Sequence, residues 1–373
     1  MKYLTLDDVC LLNMGQSPDS STYNEVGEGL PFYQGNADFG ERYPQCRIWC
    51  SEPTKIAEKE DVLISVRAPI GALNEAREKC CIGRGLAAIR PKGGLNKDFL
   101  YYFLLSKKSY LISKGTGSTF KAISKNVLRE LTIPVPTLQE QEKQSGILNT
   151  LWRVICKRRT QQAKLDELIK CRFVELFGDQ KMNPYGWPQT TVGNCCILKS
   201  GTSLPADKEN EGGTIPYVKV SDMNYPGNEH YITTSSRFVT EQTAGVGVFP
   251  VGTVIFPKRG GAIGTNKKRL TKLPICADLN VMGVIAGSNL ASQYLMAYFD
   301  MIDLGALDNG SSVPQINNKD IAPLPICTPP IELQEQFAAF VEKADKFKFV
   351  IQQSLDETQK LFDSFMQKYF DSW

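Results

Sequence analysis

Histidine is scarce in this sequence, and its cysteines do not follow the spacing of a metal site. His230 is the only histidine among 373 residues, which argues against a catalytic triad, a two-histidine metal site or a histidine acid–base pair. The eleven cysteines are scattered, and no Cys-x-x-Cys occurs. We therefore expect reduced, mostly structural thiols and no bound metal.

Long hydrophobic runs are also missing. No stretch of eighteen apolar residues is present, so we expect no transmembrane helix and no membrane partner. The sequence opens with Met-Lys-Tyr-Leu-Thr-Leu-Asp-Asp, which becomes acidic too early for a secretory signal peptide. These features predict a cytoplasmic protein, and its length suggests two or three domains.

The common nucleotide-binding and methyltransferase motifs are absent. No Gly-x4-Gly-Lys-Ser/Thr loop is present, and the glycine-rich residues 260–267 have a different spacing. Gly83-Arg84-Gly85 lacks a third glycine at the dinucleotide spacing and is interpreted as a turn. Residues 183–186, Asn-Pro-Tyr-Gly, lack the second proline of the Asn-Pro-Pro-Tyr motif of amino-methyltransferases. We therefore expect no catalytic residue and no cofactor in this chain.

The charge is nearly balanced but unevenly distributed. The formal net charge is +3, yet residues 99–129 and 254–277 each carry six basic residues and no acidic one. One basic window falls in each half of the chain. The two windows could form patches that face one polyanion. The alternative, solvated surface that happens to lack acids, stays open for either window alone.

The strongest signal is internal repetition. The tetrapeptide Leu-Gln-Glu-Gln at 138–141 recurs at 333–336, an offset of 195 residues. Upstream, Gly-Ser-Thr/Ser segments at 117–119 and 310–312 recur at an offset of 193, and Gly15 matches Gly201 at 186. Colinear matches along the whole chain indicate one ancestral segment of about 190 residues that was duplicated.

Each repeat contains a mixed domain followed by a helical segment. Residues 1–136 and 188–329 contain short β-rich runs with many glycines and prolines, whereas 137–177 and 331–370 are rich in Glu, Gln, Lys and Leu. Alternating steps of three and four define a heptad-like seam in each helical segment. A solvated single helix is the alternative to two helices packed on each other. The predicted seam residues are Leu148, Leu151, Ile155, Leu165, Ile169, Leu176, Phe337, Phe340, Phe347, Ile351, Leu361 and Phe365.

This organisation resembles the DNA specificity subunit of type I restriction–modification systems. The resemblance covers the whole chain, and its most specific elements are the two Leu-Gln-Glu-Gln helix starts, the Gly-Ser-Thr/Ser loops and the Phe-Gly-Asp…Asn-Pro-x-Gly-Trp-Pro connector. It implies an α/β (α+β) protein with two tandem target-recognition domains and two long helices that form a pseudo-twofold, antiparallel coiled coil. The expected boundaries are 1–136, 137–187, 188–329 and 330–373.

The resemblance also implies partners. Each mixed domain would recognise one half of a split sequence in double-stranded DNA, and the coiled coil would space the domains and bind two modification (methyltransferase) subunits. S-adenosylmethionine chemistry and DNA cleavage would belong to those subunits and to restriction subunits. Whether restriction subunits join the complex stays open.

Polar loop residues at matching positions are the predicted DNA contacts. For each side chain, a turn or solvated surface position is the alternative. The second Gly-Ser-Ser loop has Val313 and Pro314 where the first has Phe120 and Lys121, so the two loops are expected to contact DNA differently. The predicted contacts are Gln16, Ser17, Gln34, Asn36, Arg67, Lys114, Thr116, Ser118, Thr119 and Lys121 in the first domain, and Lys199, Thr202, Ser203, Lys219, Ser221, Lys258, Arg259, Asn309, Ser311 and Ser312 in the second.

Two other function classes compete with this interpretation. One is a coiled-coil scaffold that binds proteins without recognising a DNA sequence. The other is a self-contained nuclease or methyltransferase, which the missing motifs disfavour. A steep dependence of DNA affinity on salt would distinguish the first class from a DNA-binding subunit.

Overall fold

The computed structural model describes residues 2–117, 121–307 and 313–371. The chain forms two compact units. The first unit comprises Met1–Arg159 with Gln352–Trp373, and the second comprises Thr160–Ile351. Each unit therefore contains one mixed domain, the first half of the helix that follows that domain, and the last half of the other helix.

The first unit combines short strands with helices. Within its described residues, eleven strands form three sheets, in the orders β1-β11, β2-β10-β7-β8 and β3-β5-β4-β9-β6. The β4–β9 pair is parallel. The strands are β1 Lys2–Thr5, β2 Cys10–Met14, β3 Tyr23–Asn24, β4 Leu30–Tyr33, β5 Trp49–Cys50, β6 Ile56–Ala57, β7 Val62–Ser65, β8 Leu73–Glu75, β9 Cys80–Ile82, β10 Leu86–Pro91 and β11 Thr132–Val135; the helices are α1 Leu6–Val9, α2 Lys97–Ser106, α3 Lys108–Ser113, α4 Lys125–Arg129 and the start of α5 Leu138–Phe177.

Local chemistry determines where these helices begin. The hydroxyl of Thr5 accepts a hydrogen bond from the Asp8 N–H, and the Asp8 carboxylate accepts one from the Thr5 N–H, so a capping box starts α1. The Asn96 side chain caps α2 in a similar way by accepting from the Asp98 and Phe99 N–H groups. Phe99 and the five residues after it are buried, and α2 therefore forms the centre of the first unit's core.

The second unit repeats this plan, with ten strands in the part of it that the structure describes. Its sheets have the orders β12-β21, β13-β20-β17-β18-β15 and β16-β14-β19. The strands are β12 Gln189–Thr191, β13 Cys196–Ser200, β14 Ile215–Val218, β15 Tyr231–Ile232, β16 Phe238–Val239, β17 Val254–Pro257, β18 Arg269–Thr271, β19 Cys276–Ala277, β20 Val281–Ala286 and β21 Pro325–Cys327; the helices are α6 Val192–Cys195, α7 Glu241–Ala244, α8 Ser292–Asp300, α9 Asn318–Ile321 and the start of α10 Ile331–Met366, which a π-helical turn at Gln367–Asp371 follows in the first unit.

Strand pairing confirms the duplication. In each unit the first strand pairs antiparallel with the last strand before the long helix, as β1 with β11 and β12 with β21. The next strand pairs with the strand that precedes the core helix, as β2 with β10 and β13 with β20. A parallel pair also recurs, as β4 with β9 and β14 with β19. The mixed α/β architecture is therefore confirmed twice within one chain.

The two long helices pack antiparallel. In the second unit, Asp166 of α5 pairs with Lys348 of α10 at 2.6 Å, while Phe173, later in α5, contacts Phe337, earlier in α10. One helix therefore runs against the other. In the first unit, Trp152 of α5 lies 6.0 Å from Phe362 of α10, measured between ring centroids. Both segments pack on the core of the mixed domain in their own unit.

The predicted seam residues of α5 are buried or half-buried, whereas two of the six in α10 are exposed. Leu148 and Ile155 are fully buried. In α10, Phe347 is 65% exposed and Leu361 is 48% exposed. Their neighbours lie inward instead: the side chain of Lys348 is 12% exposed. Phe337 is fully buried. The remaining predicted residues are half-buried: Leu151, Leu165, Ile169, Leu176, Phe340, Ile351 and Phe365.

Phe347 and Leu361 are exposed because the prediction placed the three-residue and four-residue steps along α10 in the wrong order. The buried stripe of α10 proceeds from Phe337 by four residues to Val341 and then by three to Ala344, whereas the predicted seam takes the step of three first. With the two steps in the wrong order, the predicted stripe reaches Phe347 and Leu361, which lie on the exposed side of α10. Because three and four residues both return to the same helix face, sequence periodicity alone does not fix this order.

A buried glutamine joins each long helix to its mixed domain. Gln141 in α5 is completely buried. Its Oε1 accepts a hydrogen bond from the Asn96 N–H at 2.8 Å, and its Nε2 donates to the carbonyls of Gly94 and Pro136, both at 3.0 Å. The side chain thereby satisfies one backbone donor and two backbone acceptors at the helix start.

Gln334 has the same role in the second unit. It too is completely buried. Gln141 and Gln334 lie 193 residues apart, while the Leu-Gln-Glu-Gln tetrapeptides lie 195 apart. Aligning the tetrapeptides as equivalent is therefore wrong by two residues, because the hydrogen-bonded position decides the register. Its partners are the Ala291 N–H at 2.9 Å, the Asn289 carbonyl at 3.0 Å and the Pro329 carbonyl at 2.8 Å.

Two further findings concern cysteines and membranes. All eleven cysteines are free thiols, and six of them are buried. Among the residues that the structure describes, no helix combines the length and apolar character that crossing a bilayer requires.

Candidate nucleic-acid interface

Five loop segments meet along one edge of the first mixed domain, which we call the first loop edge. Backbone hydrogen bonds join neighbouring segments: Gly85 N–H to the Gln34 carbonyl at 3.2 Å, Val66 N–H to the Gly85 carbonyl at 2.9 Å, and Ile123 N–H to the Val66 carbonyl at 2.9 Å. The Arg84 N–H donates to the Ser17 hydroxyl at 3.3 Å. The first loop edge comprises residues 15–17, 34–36, 66–68, 83–85 and, from the fifth segment, the described residues 114–117 and 121–123.

Glycines permit this close approach of loops. A Cβ on Gly15 would lie 2.2 Å from the Gly83 carbonyl oxygen, and one on Gly85 would lie 2.5 Å from the Gln34 carbonyl oxygen. Neither distance is sterically allowed, and in both cases the obstructing atom is backbone. The glycines therefore hold the segments against each other and leave the intervening side chains to point outward.

The described residues of the first loop edge include four exposed cations. In three of them, Arg67, Arg84 and Lys121, the charged side-chain group has no hydrogen-bond or ion-pair partner within the described ranges. Lys114 is also exposed, with its ammonium 5.3 Å from the centre of the Tyr110 ring. An edge of unpaired cations held on a rigid backbone is typical of a surface that contacts phosphates.

Two of these backbone hydrogen bonds recur in the second mixed domain. The Lys258 N–H donates to the Asn280 carbonyl at 2.9 Å, and the Ile316 N–H donates to the Lys258 carbonyl at 2.9 Å. Gly201 again touches backbone, since a Cβ there would lie 2.1 Å from the Asp278 carbonyl oxygen. The second loop edge comprises residues 201–203, 219–221, 258–260, 278–280 and 313–316.

Three lysines predicted as DNA contacts are not free in the second unit. Local partners bind the ammonium groups of Lys199, Lys219 and Lys258 in the structure, so these three lysines would have to exchange those partners to contact DNA. Burial also lowers the pKa of Lys258. Arg259 is exposed and has no side-chain partner in the described part of the chain. The partners are the Val246 and Val248 carbonyls for Lys199 at 2.6 and 2.9 Å, Glu209 for Lys219 at 2.6 and 2.7 Å, and the Ser200 hydroxyl for Lys258 at 2.8 Å.

The other predicted residues divide into two groups. Those on or beside the loop edges are exposed or half-buried: Gln16, Ser17, Gln34, Asn36, Thr116, Thr202, Ser203 and Ser221. Five others lie outside the described residues: Ser118, Thr119, Asn309, Ser311 and Ser312.

Arg84 is the residue that the sequence prediction missed. The Gly83-Arg84-Gly85 segment was interpreted only as a turn, and it is one, since the Leu86 N–H donates to the Gly83 carbonyl at 3.0 Å. The turn places Arg84 in the middle of the first loop edge. An arginine between two glycines, in a chain with two matching basic windows, is the signal that could have identified it.

A separate cavity of about 410 Å³ lies inside the second unit, where residues of the two long helices and of the mixed domain line it. Desolvation raises the pKa of Asp300 to about 6 and lowers the pKa of Lys268 to about 8. Burial also lowers the pKa of His230. In the described ranges, no group of three or more His, Cys, Asp or Glu side chains is placed to hold a metal ion.

Comparison with known proteins identifies the family. The type I restriction modification DNA specificity domain matches residues 1–165 and again residues 184–358. The chain is 24% identical over 339 residues to the type I restriction enzyme MjaIX specificity subunit of Methanocaldococcus jannaschii, covering 84% of this chain and 77% of that protein. A 158-residue match at 42% identity, to the provisionally named MjaX specificity subunit of the same organism, covers 42% of this chain and 37% of that protein.

Solved structures show the same fold. The S subunit of a type I restriction–modification system from M. genitalium superposes with a TM-score of 0.62 at 16% identity, covering 99% of this chain and 96% of that one. A second structure, described as the basis of complex assembly and conformational transition of the type I R-M system, gives a TM-score of 0.54 at 18% identity and covers 99% of this chain and 97% of that one. The chain thus belongs to the type I restriction–modification DNA specificity family and carries two copies of its domain.

Proposed function

We propose that this chain is the DNA-recognition subunit of a type I restriction–modification complex, in which each unit binds one half of a bipartite DNA sequence. The observation that carries the proposal is the repeated loop edge: in each unit equivalent backbone hydrogen bonds join matching loop segments, through Val66 and Ile123 in the first and through Lys258 and Ile316 in the second. Each edge has an exposed arginine at the same place, Arg67 in the first and Arg259 in the second.

Simple electrostatics supports DNA as the ligand. Unpaired arginine and lysine side chains at a rigid edge can neutralise phosphates and release counterions. Hydroxyl and amide groups beside them, such as those of Ser17, Gln34 and Ser203, can donate to and accept from base edges. We therefore assign recognition to this chain and every chemical step to other subunits of the complex.

The partners follow from the same proposal. We infer that methyltransferase subunits bind this chain, that they bind the S-adenosylmethionine, and that restriction subunits can join the complex. The solved type I system whose description concerns complex assembly supports this. We infer that the complex acts in the cytoplasm, where it meets its DNA target.

The test is a domain exchange. Residues 1–136 are replaced by the corresponding domain of another specificity subunit, and the chain is co-expressed with methyltransferase subunits. Sequencing of methylated adenines then identifies the target. We expect one half of the target to change, while the other half and the gap between them persist. A target altered in both halves would contradict recognition by separate units.

A salt titration tests DNA binding itself. The logarithm of the affinity should fall linearly with the logarithm of salt concentration, and Arg259→Ala should reduce the slope by about one. A chain that assembles with methyltransferase subunits yet shows no salt-dependent DNA binding would instead be a protein-binding scaffold. Methyl transfer by the purified chain alone would contradict a purely recognising role.

A further inference from the structure

The middle position of the two loop edges is occupied by different residues. In the first edge, the turn at residues 83–85 holds Arg84. In the second edge, the turn at residues 278–280 holds Leu279. The two turns are equivalent because each is hydrogen-bonded to the last residue of a matching strand. The Gly83 N–H donates to the carbonyl of Tyr33 in β4 at 2.8 Å, and the Asp278 N–H donates to the carbonyl of Val218 in β14 at 2.9 Å.

Both turns are held firmly, so the difference concerns the side chain alone. The Leu86 N–H donates to the Gly83 carbonyl at 3.0 Å, and the Val281 N–H donates to the Asp278 carbonyl at 2.9 Å. In the second turn the Asp278 carboxylate also accepts from the Asn280 N–H at 2.9 Å. Backbone geometry is thereby kept while the chemistry at the tip changes from a guanidinium to an isobutyl group.

Comparison of the two repeats distinguishes positions suited to phosphate contact from positions suited to base contact. Arg67 and Arg259 are equivalent because each forms an isolated antiparallel β-bridge with the last segment of its own loop edge, Arg67 with Ala122 and Arg259 with Gln315. Ser17 and Ser203 are equivalent in sequence, since each lies two residues after a matching glycine. A group that contacts phosphate can be the same in both units, because phosphates do not differ between sequences. A group that distinguishes bases must differ if the two half-sites differ.

Arg84 has the properties of a base-contacting group. It is exposed, and among the described residues its guanidinium has no hydrogen-bond or ion-pair partner. Arg67 and Lys121 on the neighbouring segments supply unpaired charge beside it. Leu279, which is 42% exposed, offers only apolar contact at the same position.

The geometry points to Arg84 as a specificity-determining residue that donates two hydrogen bonds to a guanine in the half-site bound by the first unit. Leu279 makes the corresponding contact in the other half-site through apolar packing, for which a thymine methyl group is the suitable partner. This inference rests on the proposed function and adds which residue distinguishes the bases.

The experiment selects bound duplexes from a library in which both half-sites are randomised. It uses the full chain co-purified with its methyltransferase subunits. Arg84→Lys keeps the positive charge but loses the bidentate geometry of the guanidinium. The preference for guanine at one position of the half-site bound by the first unit should therefore fall by about 5- to 150-fold. Leu279→Arg should create a guanine preference in the other half-site. Arg67→Ala is the matched control and should weaken all sequences equally.

The outcomes separate the inference from the function on which it rests. If the wild-type complex selects no bipartite sequence, the proposed function fails. If it selects one, but Arg84→Lys and Arg84→Ala lower affinity equally for every sequence, Arg84 is a phosphate contact and the inference is overturned. Circular dichroism spectra matching the wild type exclude misfolding of a variant as the cause.

Discussion

The buried glutamines offer the sharpest test of how the helices join the domains. In Gln141→Leu the volume is nearly kept, but the Asn96 N–H and the carbonyls of Gly94 and Pro136 lose their partner. Each buried backbone group without a partner costs about 1–3 kcal/mol. Allowing for partial solvent access, we expect the variant to lose about 3–6 kcal/mol of unfolding free energy, which is a large share of a typical domain's stability.

The tetrapeptide supplies its own controls. Gln139 and Gln336 belong to the same Leu-Gln-Glu-Gln repeats but are exposed, so their substitution by leucine should change stability by at most about 0.5 kcal/mol. Gln334→Leu should destabilise the second unit as Gln141→Leu destabilises the first. If the repeated tetrapeptides were the true structural equivalents, Gln139 and Gln334 would behave alike instead.

Urea unfolding combined with hydrogen exchange measures these effects unit by unit. Amide protection in the first unit should fall by about a hundredfold or more in Gln141→Leu, with the second unit little changed. The reasoning is refuted if Gln141→Leu unfolds at the wild-type urea concentration, or if Gln139→Leu is equally destabilised.

Three further predictions concern the core, the cavity and the loop edge. Phe173→Ala removes a buried ring that contacts three aromatic neighbours and should cost about 3–5 kcal/mol by urea unfolding, whereas the exposed Phe347→Ala should change stability by at most about 0.5 kcal/mol; equal losses would contradict the observed seam. Since the folded pKa of Asp300, about 6, exceeds the ordinary 3.8, its contribution to stability is complete below 3.8 and is lost as pH rises through 6. The melting temperature of Asp300→Asn should therefore increasingly exceed that of the wild type from pH 4 to pH 7, and a constant difference would refute this. Finally, Lys258→Met should leave the salt dependence of DNA affinity unchanged while Arg259→Ala flattens it; a flattened slope in Lys258→Met would show that its ammonium contacts phosphate.

Much of the architecture could be predicted from the sequence because its causes are local. Residues 138–177 contain no proline and a single glycine, so a continuous helix is the favourable state of that segment, and α5 spans Leu138–Phe177. Duplication is likewise written in the order of the residues themselves. The shortage of histidine and the missing phosphate-binding loops also required no structure to recognise.

Tertiary structure decided which of two locally similar side chains is buried or bound and which is exposed. Two glutamines in the same tetrapeptide have the same helix propensity, and the backbone groups of Gly94 and Asn96, distant in sequence, distinguish Gln141 as the one that is buried. Lys258 and Arg259, which directly follow strand β17, are adjacent cations, yet the first contacts Ser200 and the second faces solvent. Long-range hydrogen bonds and the alternation of side chains along a strand settle such choices, because they depend on partners that no local pattern contains.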